Sequence, residues 1–216
     1  MSRTWRKTTL ATIAALLILV VFQLSRLRVT PPSVDGDDIW TATVNKGSML
    51  WQVRGIGTLV PSGHSANPIA RVMVPDSFVG DVRLNQNAEV DVRNLTAMGH
   101  VSYISPSPSN ATRSVDITLD DALPAGAGTN LQADAIIELG KLENILYVAR
   151  PVHANQYSLI GVFKVADDGG HAVRVNVKFG RASVNTIEVL DGLKEGDKII
   201  PSDMTAWDNF DHIRLR

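Results

Sequence analysis

Five histidines, His64, His100, His153, His171 and His212, are the side chains best suited to hold a transition metal or to shuttle a proton. No two of them stand about three to five residues apart, the spacing that sets two ligands on one helical face, and the chain has no cysteine to complete a thiolate site. Gly55-Ile56-Gly57 begins like a dinucleotide loop, but Val60 occupies the place of the third glycine and no helical period follows, so it reads as a flexible strand end. Asp167-Asp168 offers oxygens to calcium, yet no further ligands follow at EF-hand spacing; with Gly169-Gly170 it reads as a hairpin turn supplying positive-φ residues. There is no GxSxG elbow, no Walker A loop and no HExxH. The expectation is a chain with no catalytic residue, no cofactor and no metal. An enzyme would need titratable groups converging from distant strands. A small-ligand module would need an apolar pocket with a few convergent polar groups.

The elements available to position such groups are strands. Val173, Val175, Val177 and Phe179 alternate with Arg174, Asn176 and Lys178, and Val115, Ile117 and Leu119 alternate with Asp116, Thr118 and Asp120. Period two predicts half-buried antiparallel strands, whose carboxylates fall on the solvated half of the alternation. Similar short runs occur at Trp40 to Val44, Met49 to Val53, Glu89 to Arg93, Ile145 to Val148, Ile187 to Val189 and Ile213 to Leu215, divided by Gly, Asn, Asp and Pro clusters. Only Pro75 to Val82 suggests a turn or two of helix, with Asp76 or Ser77 able to cap it.

Charge is placed unevenly. Arg3, Arg6, Lys7, Arg26 and Arg28 lie in the first 28 residues without an acid among them, and the remainder carries 16 basic and 22 acidic side chains, a net of −6. An acidic body argues against nucleic acid as a partner, because phosphate binding needs a basic face. Between the basic groups, Thr8 to Ser25 runs 18 residues without a charge. As a helix it would span about 27 Å, close to a bilayer core of roughly 30 Å. Phe22 to Arg26 lacks the small-x-small pattern of a cleavage site, so the segment is expected to stay as an anchor. The excess of basic groups before it sets a cytoplasmic N-terminus and an extracytoplasmic body. Val29 to Asp38, with two prolines, a glycine and three aspartates, reads as an extended linker.

From Arg71 onward the chain resembles the HlyD/membrane-fusion family, the periplasmic adaptor subunits of bacterial efflux systems, particularly those of macrolide-type ABC exporters. ARVMVPDSFVGDVRLNQNAEVDVRN looks like the start of the family's barrel, a strand, a short helix and a turn before the next strand. MGHVSYISPSPSNATRSVDITL looks like its paired strands, and ALPAGAGTNLQADAIIELGKL like the loop and strand that leave it. NILYVARPVHA, GVFKV and the run from Ala172 to Leu215 resemble the membrane-proximal domain, with the family's G-L-x-x-G-D turn at Gly192-Leu193-Lys194-Glu195-Gly196-Asp197. VNKGSMLWQVRGIGTLVP matches the N-terminal strands that this domain borrows. Two departures stand out. Asn85 and Asn94-Leu95 replace glycines, which asparagine can do because it tolerates left-handed backbone. Pro61 to Pro68 occupies the place of the two lipoyl-like half-motifs and the long α-helical hairpin.

The resemblance implies a mainly β protein in six parts: cytoplasmic tip and transmembrane helix over 1–28, linker 29–38, N-terminal strands of the membrane-proximal domain 39–60, connector 61–68, a small β-barrel 69–138 and the membrane-proximal β domain 139–216. It implies a truncated or minimal adaptor in the bacterial inner membrane, single-pass, with its body in the periplasm. Its partners would be an ABC or RND transporter and further copies of itself, without the outer-membrane channel. Arg181, Ser183 and Asn185, with Asp203 and Asp208, lie in the most specific stretches and are the candidates for a transporter-facing or domain-stabilising surface. Trp207 and Phe210 are expected to pack into the core. The rival readings are a β-domain ligand-binding module, a sheet-rich hydrolase and a non-functional remnant.

Overall fold

A chain whose apolar residues recur with period two can bury them only by pairing strands and curling or stacking the resulting sheet. The computed structural model describes residues 32–34, 39–62, 67–93, 95–120 and 130–216. Among these run β1 (Ser33–Val34), β2 (Ala42–Thr43), β3 (Asn45–Val60), β4 (Ile69–Pro75), β5 (Asn87–Val92), β6 (Leu95–Ile104), β7 (Thr112–Leu119), β8 (Gln132–Ala149), β9 (Leu159–Val165), β10 (His171–Ala182), β11 (Thr186–Asp191), β12 (Lys198–Ile200) and β13 (His212–Leu215). Helix is confined to α1 (Asp76–Val79) and a 3-10 turn at Thr205–Trp207 among the described residues.

The path β8–β3–β4–β7–β6–β5 closes on itself, because Ala88 to Asp91 of β5 pair with Asp134 to Ile137 of β8. Six antiparallel strands therefore make a barrel with no free edge. Its interior holds Ala70, Val72, Val74, Val90, Ile117 and Ala135, all fully buried, and the mixture of alanine with β-branched residues suits a narrow bore.

β3 and β8 are longer than the barrel requires. They pair from Asn45↔Tyr147 to Thr58↔Gln132, with bulges between Gly47 and Met49 and between Trp51 and Gln52. Their far ends begin a second β unit in the order β8–β11–β10–β9–β12–β2, with β13 on β10 and β1 on β13. Val177, Phe179, Ile187 and Ile199 continue the barrel's hydrophobic cluster into this unit. A second cluster of Phe163, Ala172, Ile200, Met204 and Ile213 has Trp207 and Phe210 packed against it, as the sequence predicts for those two aromatics.

The turn Asp167–Gly170 joins antiparallel β9 and β10 with Gly169 at φ 70, in the expected role. Asn85 takes φ 65, the left-handed conformation read from its type; Asn94 lies outside the described residues. Other expectations are corrected. Gly55-Ile56-Gly57 is no loose strand end but the middle of β3, where a Cβ on Gly57 would come within 1.9 Å of the Arg71 carbonyl oxygen on β4. The absence of a side chain lets two strands of a tight barrel approach each other. Neither Asp76 nor Ser77 caps α1; Pro75 holds the cap position without a side-chain hydrogen bond, and Asp76 accepts instead from Arg113 Nε at 2.8 Å. Ser33 and Val34, expected within a linker, form β1 in parallel pairing with Arg214 and Leu215, and Val34 is buried. Ile56 to Val60, assigned with the second unit in sequence, pair with β4 in the barrel. The anchor segment 8–25 lies outside the described residues, among which no helix is long and apolar enough to cross a membrane.

Candidate functional site

The five candidate side chains fall into two groups on the second unit. The first is built by the turn between β10 and β11. Ahead of Ile56, where pairing with β4 begins, β3 has a neighbour on the β8 side only, and the register shift at Trp51/Gln52 leaves Leu139 of β8 as the extra residue. Ser183 serves the other side: its Oγ donates to the Leu50 carbonyl at 2.8 Å and accepts from the Gln52 N–H at 3.0 Å, and the residue is buried. Beside it, Trp51 Nε1 donates to the Ala182 carbonyl at 3.2 Å, and the Arg181 guanidinium lies 5.2 Å from the Trp51 ring centroid. A cation over an indole face at that distance is attracted by the ring quadrupole. The Asn185 carbonyl accepts from the Arg150 N–H at 2.9 Å, while its side chain is exposed. Arg181 and Ser183 thus hold β3 opposite the bulge, and Asn185 is the exposed one of the three.

The second group sits on the loop after β12. Asp203 Oδ1 accepts from Thr205 N at 3.0 Å and Thr205 Oγ1 at 2.8 Å, and lies 3.2 Å from His153 Nε2. The Thr205 amide and hydroxyl, followed by His153, hold its carboxyl below the usual carboxylate range. Asp208 receives Arg174 twice, Nη1 donating to its carbonyl at 2.6 Å and Nη2 lying 3.2 Å from Oδ1. Arg174 can cross the sheet because its register neighbour strand carries Gly161, where a Cβ would lie 2.4 Å from Arg174 Nε. His153, Arg174, Thr205 and Asp208 edge a cavity of ≈ 350 Å³ whose walls include Val152, Leu159, Phe163, Ile200 and Met204; Asp203 does not line it.

The structure does not join the two groups: Asp208 borders this cavity, whereas Ser183 and Asn185 border a separate cleft between the barrel and the second unit. The parts played by Arg174 and Trp51 were not read from the sequence, and His153, weighed there only as a metal or proton-transfer candidate, pairs with Asp203. Arg174 looked like one more solvated residue of an alternating strand, and Gly161, which faces Asn176 two positions along, gives the long side chain room to lie flat. Among the described residues no three His, Cys, Asp or Glu groups could share a metal ion.

No family model matches the chain, and no curated protein matches it. Among solved structures, the crystal structure of ZneB from Cupriavidus metallidurans is similar over 64% of this chain and 41% of that one, at 19% identity and a TM-score of 0.35. The crystal structure of MacA from Actinobacillus actinomycetemcomitans is similar over 67% of this chain and 48% of that one, at 14% identity and a TM-score of 0.41. The matched stretch spans less than half of either structure's own chain.

Proposed function

We propose that the chain is a non-enzymatic periplasmic adaptor of the membrane-fusion type, a structural and regulatory partner of an inner-membrane ABC or RND exporter that lacks the lipoyl-like and helical-hairpin segments. The observation that carries this reading is the pairing of Val60 with Ile69: β3 passes to β4 through residues 61–68, and the barrel closes across that short connection. The resemblance of the stretches over residues 39–216 to adaptor sequences supports the same reading, as does a closed barrel continuous with a second β unit. In this reading residues 8–25 anchor the chain, the second unit rests on the exporter and barrels of neighbouring copies pack side by side. The partner that reaches the outer membrane is lost with the hairpin.

In the second group Arg174 pairs with Asp208 through Nη2 and His153 with Asp203, while Arg174 Nε is buried without a hydrogen-bond partner. Affinity capture of the full chain from membranes tests the proposal: an inner-membrane exporter is recovered and an outer-membrane channel is not. Asn185→Lys combined with Asp203→Lys, both exposed, weakens that recovery while the fold is kept. Capture of a channel, or efflux supported across both membranes, overturns it. A second reading, a ligand-binding module, is favoured by the partly apolar ≈ 350 Å³ cavity beside Arg174.

A further inference from the structure

Arg150, just beyond β8, is a cation without a counter-ion. It is half-buried; its Nε donates to the Ala154 carbonyl at 2.9 Å and its Nη1 to the Ser183 carbonyl at 3.3 Å. Among the described residues no carboxylate forms an ion pair with it, and Nη2 has no protein acceptor there. Burial pulls its pKa below the ordinary arginine value, the mark of a charge that has lost water without gaining a negative partner. An arginine stays protonated regardless, so the demand for an anion persists.

The surroundings have the matching chemistry. Arg150 borders a cleft of ≈ 390 Å³ at the joint between the two units, walled by Pro75, Ser77 and Phe78 at α1, by Gln52 to Arg54 of β3, and by Asn155 and the Ser183–Asn185 turn. Two arginines and no acid line it, in a body with a net charge of −6. Arg54 is already matched, its Nε lying 2.7 Å from Asp134 Oδ1, so the unpaired charge belongs to Arg150. Gln52, Asn155 and Asn185 line the same cleft and carry amides that can donate to an anion. Gln156 Nε2 donates to the Ser77 carbonyl at 2.9 Å and bridges the second unit to α1.

The geometry points to an oxyanion site in this cleft, taking a phosphate or carboxylate group of a soluble ligand, with Arg150 as charge partner and the Asn155 and Asn185 amides orienting the anion. A guanidinium with a free Nη2 presents a planar donor edge suited to such oxygens. Because the walls come from both units, an occupied site ties the barrel to the second unit. None of this depends on the adaptor reading.

The test uses the full chain in a neutral detergent, with its thermal unfolding midpoint followed against inorganic phosphate and, separately, acetate, chloride holding the ionic strength constant. A saturable rise with phosphate identifies a tetrahedral anion as the preferred class, and one with acetate a carboxylate. Arg150→Gln weakens the effective anion about tenfold or more, the loss expected for one charge-assisted hydrogen bond. Since that variant also loses the two carbonyl contacts, Asn185→Asp is the decisive companion: it sets a carboxylate beside Arg150, keeps the fold, and abolishes the response by supplying the anion from within. A response as large in Asn185→Asp as in the parent, or no saturable response of the parent to either anion, overturns the site.

Discussion

Lys164 Nζ lies 2.7 Å from Asp197 Oδ1, and this ion pair fastens the Gly192–Asp197 turn to the end of β9. The other carboxylate oxygen accepts from Lys194 N at 2.9 Å, while the Asp197 carbonyl accepts from Val44 N at 2.8 Å and the Val44 carbonyl from Gly196 N at 2.9 Å. One aspartate thus joins its own turn, β9 and the chain just ahead of β3.

Partial burial of Asp197 works to raise its pKa, but the Lys164 ammonium and the Lys194 amide outweigh it and hold the carboxyl below its ordinary value. A carboxyl depressed in the folded state contributes stability that is complete above its unfolded pKa of about 3.9 and is lost as pH falls through the lower folded value. Asp197→Asn therefore lowers stability at neutral pH by about 2 kcal/mol, the scale of charge-assisted hydrogen bonds, and flattens the decline below pH of about 4. Urea unfolding at a series of pH values checks both effects; an unchanged acid slope would show that the pair contributes nothing.

Ser183→Ala removes the hydroxyl that links Leu50 O to Gln52 N. Both backbone groups then lack a partner at a part-buried stretch of β3 that β4 does not cover, a cost of about 2 kcal/mol. Denaturant unfolding measures it, and a loss below about 0.5 kcal/mol would mean that water replaces the hydroxyl freely.

Gly57→Ala and Gly80→Ala make a matched pair. The first places a methyl within 1.9 Å of Arg71 O, whereas the second meets nothing within 4 Å. Overpacking of this kind costs about 1–3 kcal/mol, so Gly57→Ala lowers the unfolding midpoint and Gly80→Ala leaves it unchanged or slightly higher.

Gly161→Ala displaces Arg174 rather than backbone, since the nearest atoms to the new methyl are those of its guanidinium. Stability falls little, but the hold on Asp208 is broken. Amide hydrogen exchange across residues 203–211 speeds up, and unchanged protection there would contradict the role given to Arg174.

Much of this fold was legible residue by residue. The alternation at Val173–Phe179 marks β10, and that at Val115–Leu119 marks β7, although Asp116, expected on the solvated half, is buried and held by Arg71 Nε at 2.7 Å, because the barrel wall covers it. Asn85 and Gly169 mark turns because few residues accept their backbone angles. The length of β8 was hidden by Gly140, Lys141, Glu143 and Asn144, polar or flexible residues tolerated where the ribbon crosses between the two units. Placement of the candidates was less legible still. Ser183 works through backbone atoms of a strand more than a hundred positions earlier, and Arg150 takes its significance from walls contributed by separated segments. Neither relationship leaves a local pattern.

The β3–β8 ribbon gives the molecule an unequal compliance. Hydrogen-bonded from Asn45↔Tyr147 to Thr58↔Gln132, it resists stretching and in-plane shear as a leaf spring does, yet bends readily across its thin dimension. The interruptions at Gly47/Met49 and Trp51/Gln52 concentrate that bending in a short flexure. A sideways push on the second unit tilts the barrel about one axis, while a pull along the strands is transmitted to it almost without slack.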